Sequence, residues 1–175
     1  MKKKAIIISI KGPILSVKEK QLISKEKPWG IILFKRNIKS LTQIKKLTQV
    51  IKKTAKDKKF PILIDEEGSK VSRLKDLISN DINVNFFGKI YKKNKKIAIS
   101  LYKNYIKSLC KNLTNIGISF NTVPVLDVLR KNTSTIIGER SFSENKIIVK
   151  QLGAITIKEC ISNRIISIIK HIPGH

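Results

Sequence analysis

The sequence predicts an α/β fold built on a parallel β-sheet, and two patterns along its 175 residues indicate this. Five short runs rich in β-branched apolar residues recur, and segments with helical spacing of apolar residues lie between them. Nearly continuous apolar strands are typical of sheets that are buried on both faces, and such sheets are parallel. Strands that alternate with helices form βα units.

The five apolar runs are the predicted strands. They cover residues 5–10, 30–34, 61–64, 119–125 and 164–169. Ile and Val dominate these runs, as expected of side chains that pack on a pleated surface.

Helical spacing appears first in residues 17–25 and more clearly in residues 40–53. In the second segment, apolar residues repeat every three or four positions and form one stripe: Leu41, Ile44, Leu47 and Ile51. Ser40 followed by Gln43 is the signature of a capping box, which predicts where this helix begins.

Two longer helices are predicted at residues 95–116 and 145–161. The apolar stripe of the first consists of Ala98, Leu101, Tyr105, Leu109, Leu113 and Ile116. Gly117 can adopt the left-handed conformation that ends many helices. Ser143 is the predicted N-cap of the second helix. Residues 75–94 have no regular period and are predicted to form a long loop with a short helix.

Two architectures fit this alternation of strands and helices: a doubly wound open sheet and a (β/α) barrel. No glycine-rich G-x-G-x-x-G turn follows any predicted strand, so a dinucleotide site has little support. We expect no cofactor. All 175 residues are assigned to one domain.

The formal net charge of +25 raises the possibility of a nucleic-acid or membrane partner. Of the 37 basic residues only five are Arg, which leaves 32 Lys, and recognition of base edges favours Arg. The lysines are spread along the whole chain, so we interpret them as solvated surface and expect no nucleic-acid partner.

The location of the protein is predicted from its apolar segments and cysteines. The run at residues 5–10 is too short for the apolar segment of a signal peptide, and no stretch approaches the roughly 20 apolar residues of a membrane helix. Cys110 and Cys160 are expected to be reduced, half-buried thiols, with no disulfide framework and no metal site. We therefore expect a cytoplasmic protein without a membrane partner.

Polar residues collect directly after the predicted strands, where parallel sheets bind ligands. They include Asp65 and Arg73 after the third strand, Asp127 after the fourth, and Lys170 with His171 after the fifth. Carboxylates accept hydrogen bonds from sugar hydroxyls, and Arg and Lys donate to oxygen atoms, so this edge suits a polyhydroxylated or anionic ligand.

Five segments in order resemble motifs of the glycoside hydrolase family three β-N-acetylhexosaminidases. Residues 30–37 resemble G-x-I-L-F-x-R-N, and residues 64–73 resemble I-D-Q-E-G-G-R-V-x-R. Residues 120–128 resemble F-A-P-V-L-D-V, residues 137–142 resemble I-G-E-R-S-F/Y, and residues 170–175 resemble K-H-F-P-G-H. The resemblance implies a TIM-like (β/α) barrel. It also implies hydrolysis of terminal, non-reducing β-linked N-acetylglucosamine, typically in the recycling of peptidoglycan fragments.

By motif position, the resemblance assigns substrate binding to Asp65, Arg73, Arg140, Lys170 and His171. Asp127 and Glu139 are expected to orient Arg side chains or backbone groups. The sequence departs from the motifs at Glu66, which replaces Gln, and at Ser69, Lys70 and Ile172. Glu66 is expected to add a charge beside Asp65.

The resemblance also predicts that the chain is catalytically incomplete. The family's Asp nucleophile and His acid/base are expected beyond His175, so no catalytic residue is assigned within the chain. Five strands are readable, whereas a complete barrel has eight and takes about 250 residues. We therefore expect a truncated, inactive form. Two alternatives are a non-catalytic sugar- or muropeptide-binding remnant and one half of a split β-glycosidase that a complementing C-terminal chain completes.

Overall fold

The computed structural model describes residues 3–175, so Met1 and Lys2 of the predicted domain lie outside the described residues. The strands are β1 (Lys4–Ile8), β2 (Pro28–Leu33), β3 (Ile62–Ile64), β4 (Phe120–Asn121) and β5 (Ile166–Ser167). The helices are α1 (Val17–Glu26), α2 (Leu41–Thr54), α3 (Val84–Lys93), α4 (Lys95–Asn115) and α5 (Lys146–Ser162). Two 3-10 turns span Lys35–Asn37 and Gly138–Arg140.

The five strands form one parallel sheet in the order β1-β2-β3-β4-β5. A doubly wound sheet reverses its strand order at a switch point, whereas in a barrel each new strand is added beside the preceding one. The sequential order therefore excludes the doubly wound alternative. It confirms the predicted partial barrel of about five strand-helix units.

The two faces of β3 contact different parts of the molecule. Ile62 and Ile64 belong to the hydrophobic core that the sheet shares with the helices, and in this core they join Ile44 and Ile51 of α2. Leu63 is buried on the other face, where it packs over Gly30 of the neighbouring strand. This alternation follows from the two-residue period of an extended chain, and it decides where the residues after β3 point.

Strands β4 and β5 are shorter than predicted because their pairing shifts by one residue near Pro124, between the pair Asn121 and Ser167 and the pair Val125 and Lys170. Proline has no backbone N–H to donate, so it cannot pair as an ordinary strand residue. Pairing resumes at an isolated bridge between Val125 and Lys170, where Leu126 N donates to Lys170 O at 2.6 Å. This bridge holds Lys170 at the carboxyl end of the sheet.

The predicted start of α2 is correct, but only half of its capping box forms. The Ser40 hydroxyl accepts a hydrogen bond from Gln43 N at 3.1 Å. The Gln43 side chain bonds Lys39 N and Pro13 O instead of returning to Ser40. A complete capping box occurs at α1, between Ser16 and Glu19.

Helix α5 starts one residue after the predicted position, and its N-cap lies two residues after the predicted cap. Asn145 is the N-cap, because its Oδ1 accepts from Ile147 N at 2.8 Å. The predicted cap, Ser143, lies two residues earlier and accepts from Asn145 N at 3.1 Å.

Helix α4 is rotated slightly relative to the predicted stripe. Leu101 is 45% exposed, whereas Tyr102 and Ile106 are buried together with Leu109 and the other core residues. The helix ends as predicted at Gly117, which has a φ of 83° and lies against Thr48 of α2.

Cys110 of α4 and Cys160 of α5 are free thiols, and both are fully buried rather than half-buried. Their sulfur atoms lie 3.6 Å apart, because the two helices pack against each other at this point.

The segment predicted as a loop with a short helix contains α3, which packs on α4. Within residues 3–175, none of the helices is both long and apolar enough to span a bilayer. The outer strands of the sheet expose apolar side chains, namely Ile6 and Ile7 of β1 and Ile166 of β5.

Candidate functional site

Three consecutive carboxylates follow β3, and they point in alternate directions. Asp65 and Glu67 continue the side of Leu63 and reach cations at the carboxyl end of the sheet. Glu66 points to the helix side, where it is fully buried. The two-residue period of the strand therefore extends through this segment. The expectation that Glu66 adds a charge beside Asp65 in the site is wrong.

Lys170 connects the two carboxylates that point to the carboxyl end of the sheet. Its Nζ lies 2.5 Å from Glu67 Oε1 and 3.3 Å from Asp65 Oδ1. It also donates to the Thr122 hydroxyl at 2.9 Å, and that hydroxyl in turn donates to Asp65. The ammonium of Lys170 therefore has three acceptors, and together they define its position.

Arg140 reaches the same site from the second 3-10 turn. Its Nε and Nη2 donate to the two oxygens of Glu67 at 2.8 and 3.0 Å, which is the paired geometry that favours Arg over Lys. The hydrogen bonds to Glu67 raise the pKa of Arg140, although its partial burial opposes this.

Arg73 binds the remaining oxygen of Asp65. Its Nη2 lies 2.9 Å from Asp65 Oδ2, and the guanidinium lies 5.7 Å from the centre of the Phe34 ring. Arg73 Nε has no hydrogen-bond partner among the residues described. The aromatic face and the carboxylate together define where the guanidinium lies.

These contacts make a continuous row of alternating charge: Arg73, Asp65, Lys170, Glu67 and Arg140. Burial alone would raise the pKa of Asp65. Hydrogen bonds from Thr122 and Arg73, with the charges of Lys170 and Arg73, outweigh that effect and hold the pKa below its usual value. Asp65 is therefore an anionic acceptor at neutral pH and not a proton donor.

His171 contacts Asp127 rather than this row. Its Nδ1 lies 2.7 Å from Asp127 Oδ2, and His175 N donates to Asp127 Oδ1 at 2.8 Å. Burial would raise the pKa of Asp127, but the hydrogen bonds from His171 and His175 outweigh it and lower the pKa. An ionised Asp127 requires the proton on Nδ1, which leaves Nε2 for another partner.

The structure brings all five predicted site residues to one end of the sheet. Asp65, Arg73, Arg140 and Lys170 join the charged row, and His171 is adjacent to Lys170 in the chain. Their roles towards a ligand stay predictions. Asp127 orients backbone groups, as expected, but its side-chain partner is His171 and not an Arg. Glu139 accepts a hydrogen bond from Asn83 rather than orienting an Arg.

Two residues of the site were missed in the sequence. Glu67 forms ion pairs with both Arg140 and Lys170. The Thr122 hydroxyl is hydrogen-bonded to both Lys170 and Asp65. The position of Glu67 two residues after Asp65 was the available signal, because residues separated by two share a face of an extended chain. No local pattern marked Thr122.

Comparison with protein-family models gives one match over nearly the whole chain. Residues 6–175 match the glycosyl hydrolase family 3 N-terminal domain. A β-hexosaminidase of Hydrogenovibrio crunogenus is 30% identical over 170 residues, which cover 97% of this chain and 47% of that protein. β-Hexosaminidase A of Pseudoalteromonas piscicida is 33% identical over 160 residues, which cover 89% of this chain and 26% of that protein.

Solved structures agree with the sequence matches. Native NagZ from Neisseria gonorrhoeae superposes with a TM-score of 0.91 at 30% identity, covering 99% of this chain and 50% of that one. A second structure of the same protein contains N-trifluoroacetyl-D-glucosamine and gives the same TM-score. The chain thus spans about half the length of these relatives, or less.

Proposed function

The chain belongs to glycosyl hydrolase family 3, and from this we propose that residues 1–175, as one incomplete domain, supply the sugar-binding side of a β-N-acetylhexosaminidase active site. The proposed reaction is the hydrolysis of terminal, non-reducing β-linked N-acetylglucosamine. The observation that carries the proposal is the row of alternating charge from Arg73 to Arg140 at the carboxyl end of the sheet.

Each residue of the row has a proposed role towards the sugar. Asp65 is ionised and accepts hydrogen bonds from hydroxyls, and Lys170 donates to the same part of the ring. Arg73 and Arg140 donate to hydroxyl or amide oxygens from either end of the row. His171 offers Nε2, because Asp127 occupies Nδ1.

The ligand class is supported by the relatives that the chain resembles. The related NagZ was solved with N-trifluoroacetyl-D-glucosamine, an analogue of N-acetylglucosamine. The motif resemblance supports a place in the recycling of peptidoglycan fragments in the cytoplasm. The row of alternating charge presents both donors and acceptors. It therefore suits a neutral sugar, because each sugar hydroxyl can both donate and accept a hydrogen bond.

The groups that break the glycosidic bond belong, in this proposal, to segments outside residues 1–175. A retaining glycosidase needs a nucleophile and an acid/base at the scissile bond. Asp65 and Glu67 are both ion-paired with cations, and Asp127 is bound to His171. Three further strand-helix units, in the same polypeptide or in a complementing chain, would cover the exposed edges of β1 and β5.

Calorimetric titration of the full chain with N-acetylglucosamine tests the binding role. We expect saturable binding, and Asp65→Asn should weaken it about tenfold because a charged acceptor is lost. Asp57→Asn is the matched control, since Asp57 pairs with Lys3 at the other end of the sheet. Equal affinities for Asp65→Asn and the unchanged chain would contradict the proposal.

A second assay tests where the reacting groups lie. The 175-residue chain alone should release no 4-nitrophenol from 4-nitrophenyl N-acetyl-β-D-glucosaminide above background. Turnover that survives purification would show that the chain carries its own catalytic groups.

A further inference from the structure

Glu66 is a fully buried carboxylate that lies outside the row of alternating charge. Four groups donate to it: the Ser72 hydroxyl, the backbone N–H of Arg73 at 2.8 Å, the backbone N–H of Leu74 at 3.1 Å, and the side-chain amide of Asn80. None of the ion pairs within residues 3–175 includes Glu66. The buried charge is therefore held by neutral donors alone.

We propose that Glu66 is a positioning residue that holds the loop after β3 so that the Arg73 guanidinium meets Asp65. This inference rests on the proposed function, because it concerns a side chain of the same sugar site. Glu66 itself touches no ligand, since it points to the helix side of the sheet. Its effect on the sugar passes through Arg73.

The position of Arg73 is fixed from both sides of its backbone. Glu66 accepts from the amides of Arg73 and Leu74, and the Leu74 side chain is fully buried in the core. With its backbone anchored, the Arg73 side chain reaches Asp65 at 2.9 Å and passes over Phe34. Loss of the hydrogen bonds from the two amides to Glu66 would let the Arg73 backbone move, and with it the point from which the side chain extends.

The four hydrogen-bond donors around Glu66 all point at its carboxylate, so they suit a side chain that only accepts hydrogen bonds. The Tyr105 hydroxyl of α4 donates to Asn80 Oδ1 at 2.6 Å, and this turns the Asn80 NH2 towards Glu66. An ionised carboxylate has no hydrogen to oppose that NH2. Burial, together with the Glu66 charge, raises the pKa of Tyr105, so its hydroxyl remains a donor.

A glutamine at position 66, as in the motif that this segment resembles, would not fit this arrangement. One oxygen of the glutamine could still accept from the Arg73 and Leu74 amides, but its NH2 would face the NH2 of Asn80. Turning Asn80 over would instead let its NH2 donate to the Tyr105 hydroxyl oxygen, but the hydroxyl would then lose the Asn80 oxygen that accepts its own hydrogen. The first arrangement loses the hydrogen bond between positions 66 and 80, and the second leaves the Tyr105 hydrogen without its acceptor.

The test is an exchange of donor and acceptor between positions 66 and 80 in the full chain. Glu66→Gln should speed hydrogen exchange at the Arg73 and Leu74 amides about tenfold. It should also weaken N-acetylglucosamine binding about tenfold, the size of one charged contact. Asn80→Asp alone should act in the same direction, because two carboxylates would face each other.

The double variant Glu66→Gln/Asn80→Asp should restore both amide protection and sugar affinity. The glutamine side chain introduced at position 66 would then donate to the new carboxylate at position 80, which also accepts from Tyr105. Glu26→Gln is the control, since Glu26 is an exposed carboxylate that pairs with Lys4 on the other side of the molecule.

Two results would overturn the inference. One is a Glu66→Gln chain whose Arg73 and Leu74 amides and sugar affinity are unchanged. The other is a double variant that regains thermal stability without regaining affinity, which would make Glu66 structural only. If the unchanged chain binds no sugar, the proposed function fails, but amide exchange in the four chains still decides whether Glu66 holds the Arg73 loop.

Discussion

Glu67 and Lys170, which are 103 positions apart in the sequence, meet at 2.5 Å between Oε1 and Nζ. Only 4% of the Glu67 side chain and 17% of the Lys170 side chain are exposed. Because Glu67 also binds Arg140 through both oxygens, one carboxylate sets the position of two cations from different loops. Glu67 is therefore the residue on which the arrangement of the site depends most.

Glu67→Gln should destabilise the chain by about 3 kcal/mol, because the largely buried Arg140 loses the carboxylate that it binds and Lys170 keeps only its longer ion pair with Asp65. The free energy of unfolding in urea measures this. Glu139→Gln should change it by less than about 0.5 kcal/mol, because Glu139 is exposed and, within residues 3–175, its carboxylate accepts a hydrogen bond from Asn83 alone. A similar effect of the two substitutions would contradict the central role of Glu67.

Stability should fall in acid partly through Asp65 and Asp127, whose pKa values are lowered by folding. A carboxyl with a depressed folded pKa stabilises the protein above its unfolded pKa of about 4 and loses this contribution as the pH falls through the folded value. Asp65→Asn should therefore make the fall in unfolding free energy below about pH 4 shallower. Urea titrations from about pH 2.5 to 6 would measure the slope, and equal slopes for the two chains would refute the assignment.

Asp127→Asn should disturb the tautomer of His171. The carboxylate accepts from His171 Nδ1 and from His175 N on separate oxygens, and an amide has only one oxygen to replace them. Long-range ¹H–¹⁵N spectra should show the Nδ1–H form in the unchanged chain and a mixture, or the Nε2–H form, in the variant. A pure Nδ1–H form in both chains would show that Asp127 is not required.

Gly88→Ala should destabilise the contact between α3 and the segment after Arg140. A Cβ at Gly88 would lie 1.8 Å from the carbonyl oxygen of Phe142, so the helix or the segment must move. We expect a loss of about 3 kcal/mol in the free energy of unfolding. Gly12→Ala is the matched control, because nothing lies within 4 Å of a Cβ there, and its effect should be far smaller.

Much of the fold was predictable because its signals are local. The runs of β-branched residues marked all five strands, and apolar spacing marked four of the five helices. Errors arose where a contact distant in sequence decided the outcome. The Gln43 side chain donates to the distant Pro13 carbonyl while its oxygen accepts from Lys39 N instead of Ser40 N, and Leu101 is exposed because α4 packs through Tyr102 and Ile106.

Most residues of the site were predictable from the sequence, but the ion pairs and hydrogen bonds between them were not. The strand-end positions and the motifs selected Asp65, Arg73, Arg140, Lys170 and His171, and all of them lie at one end of the sheet. The partner of Arg140 was missed, and Glu66 was expected beside Asp65, although the period of an extended chain places it on the opposite face.

The sequence by itself determined the class of fold and the residues that gather where the strands end, because apolar period and strand-end position are properties of short segments. Only the tertiary structure decided which carboxylate meets which cation. Asp65 and Lys170 are 105 positions apart, and their contact exists because β3, β4 and β5 lie side by side in a parallel sheet. Charge pairing acts over a few ångströms, so it follows the packing of the strands and not their order in the chain.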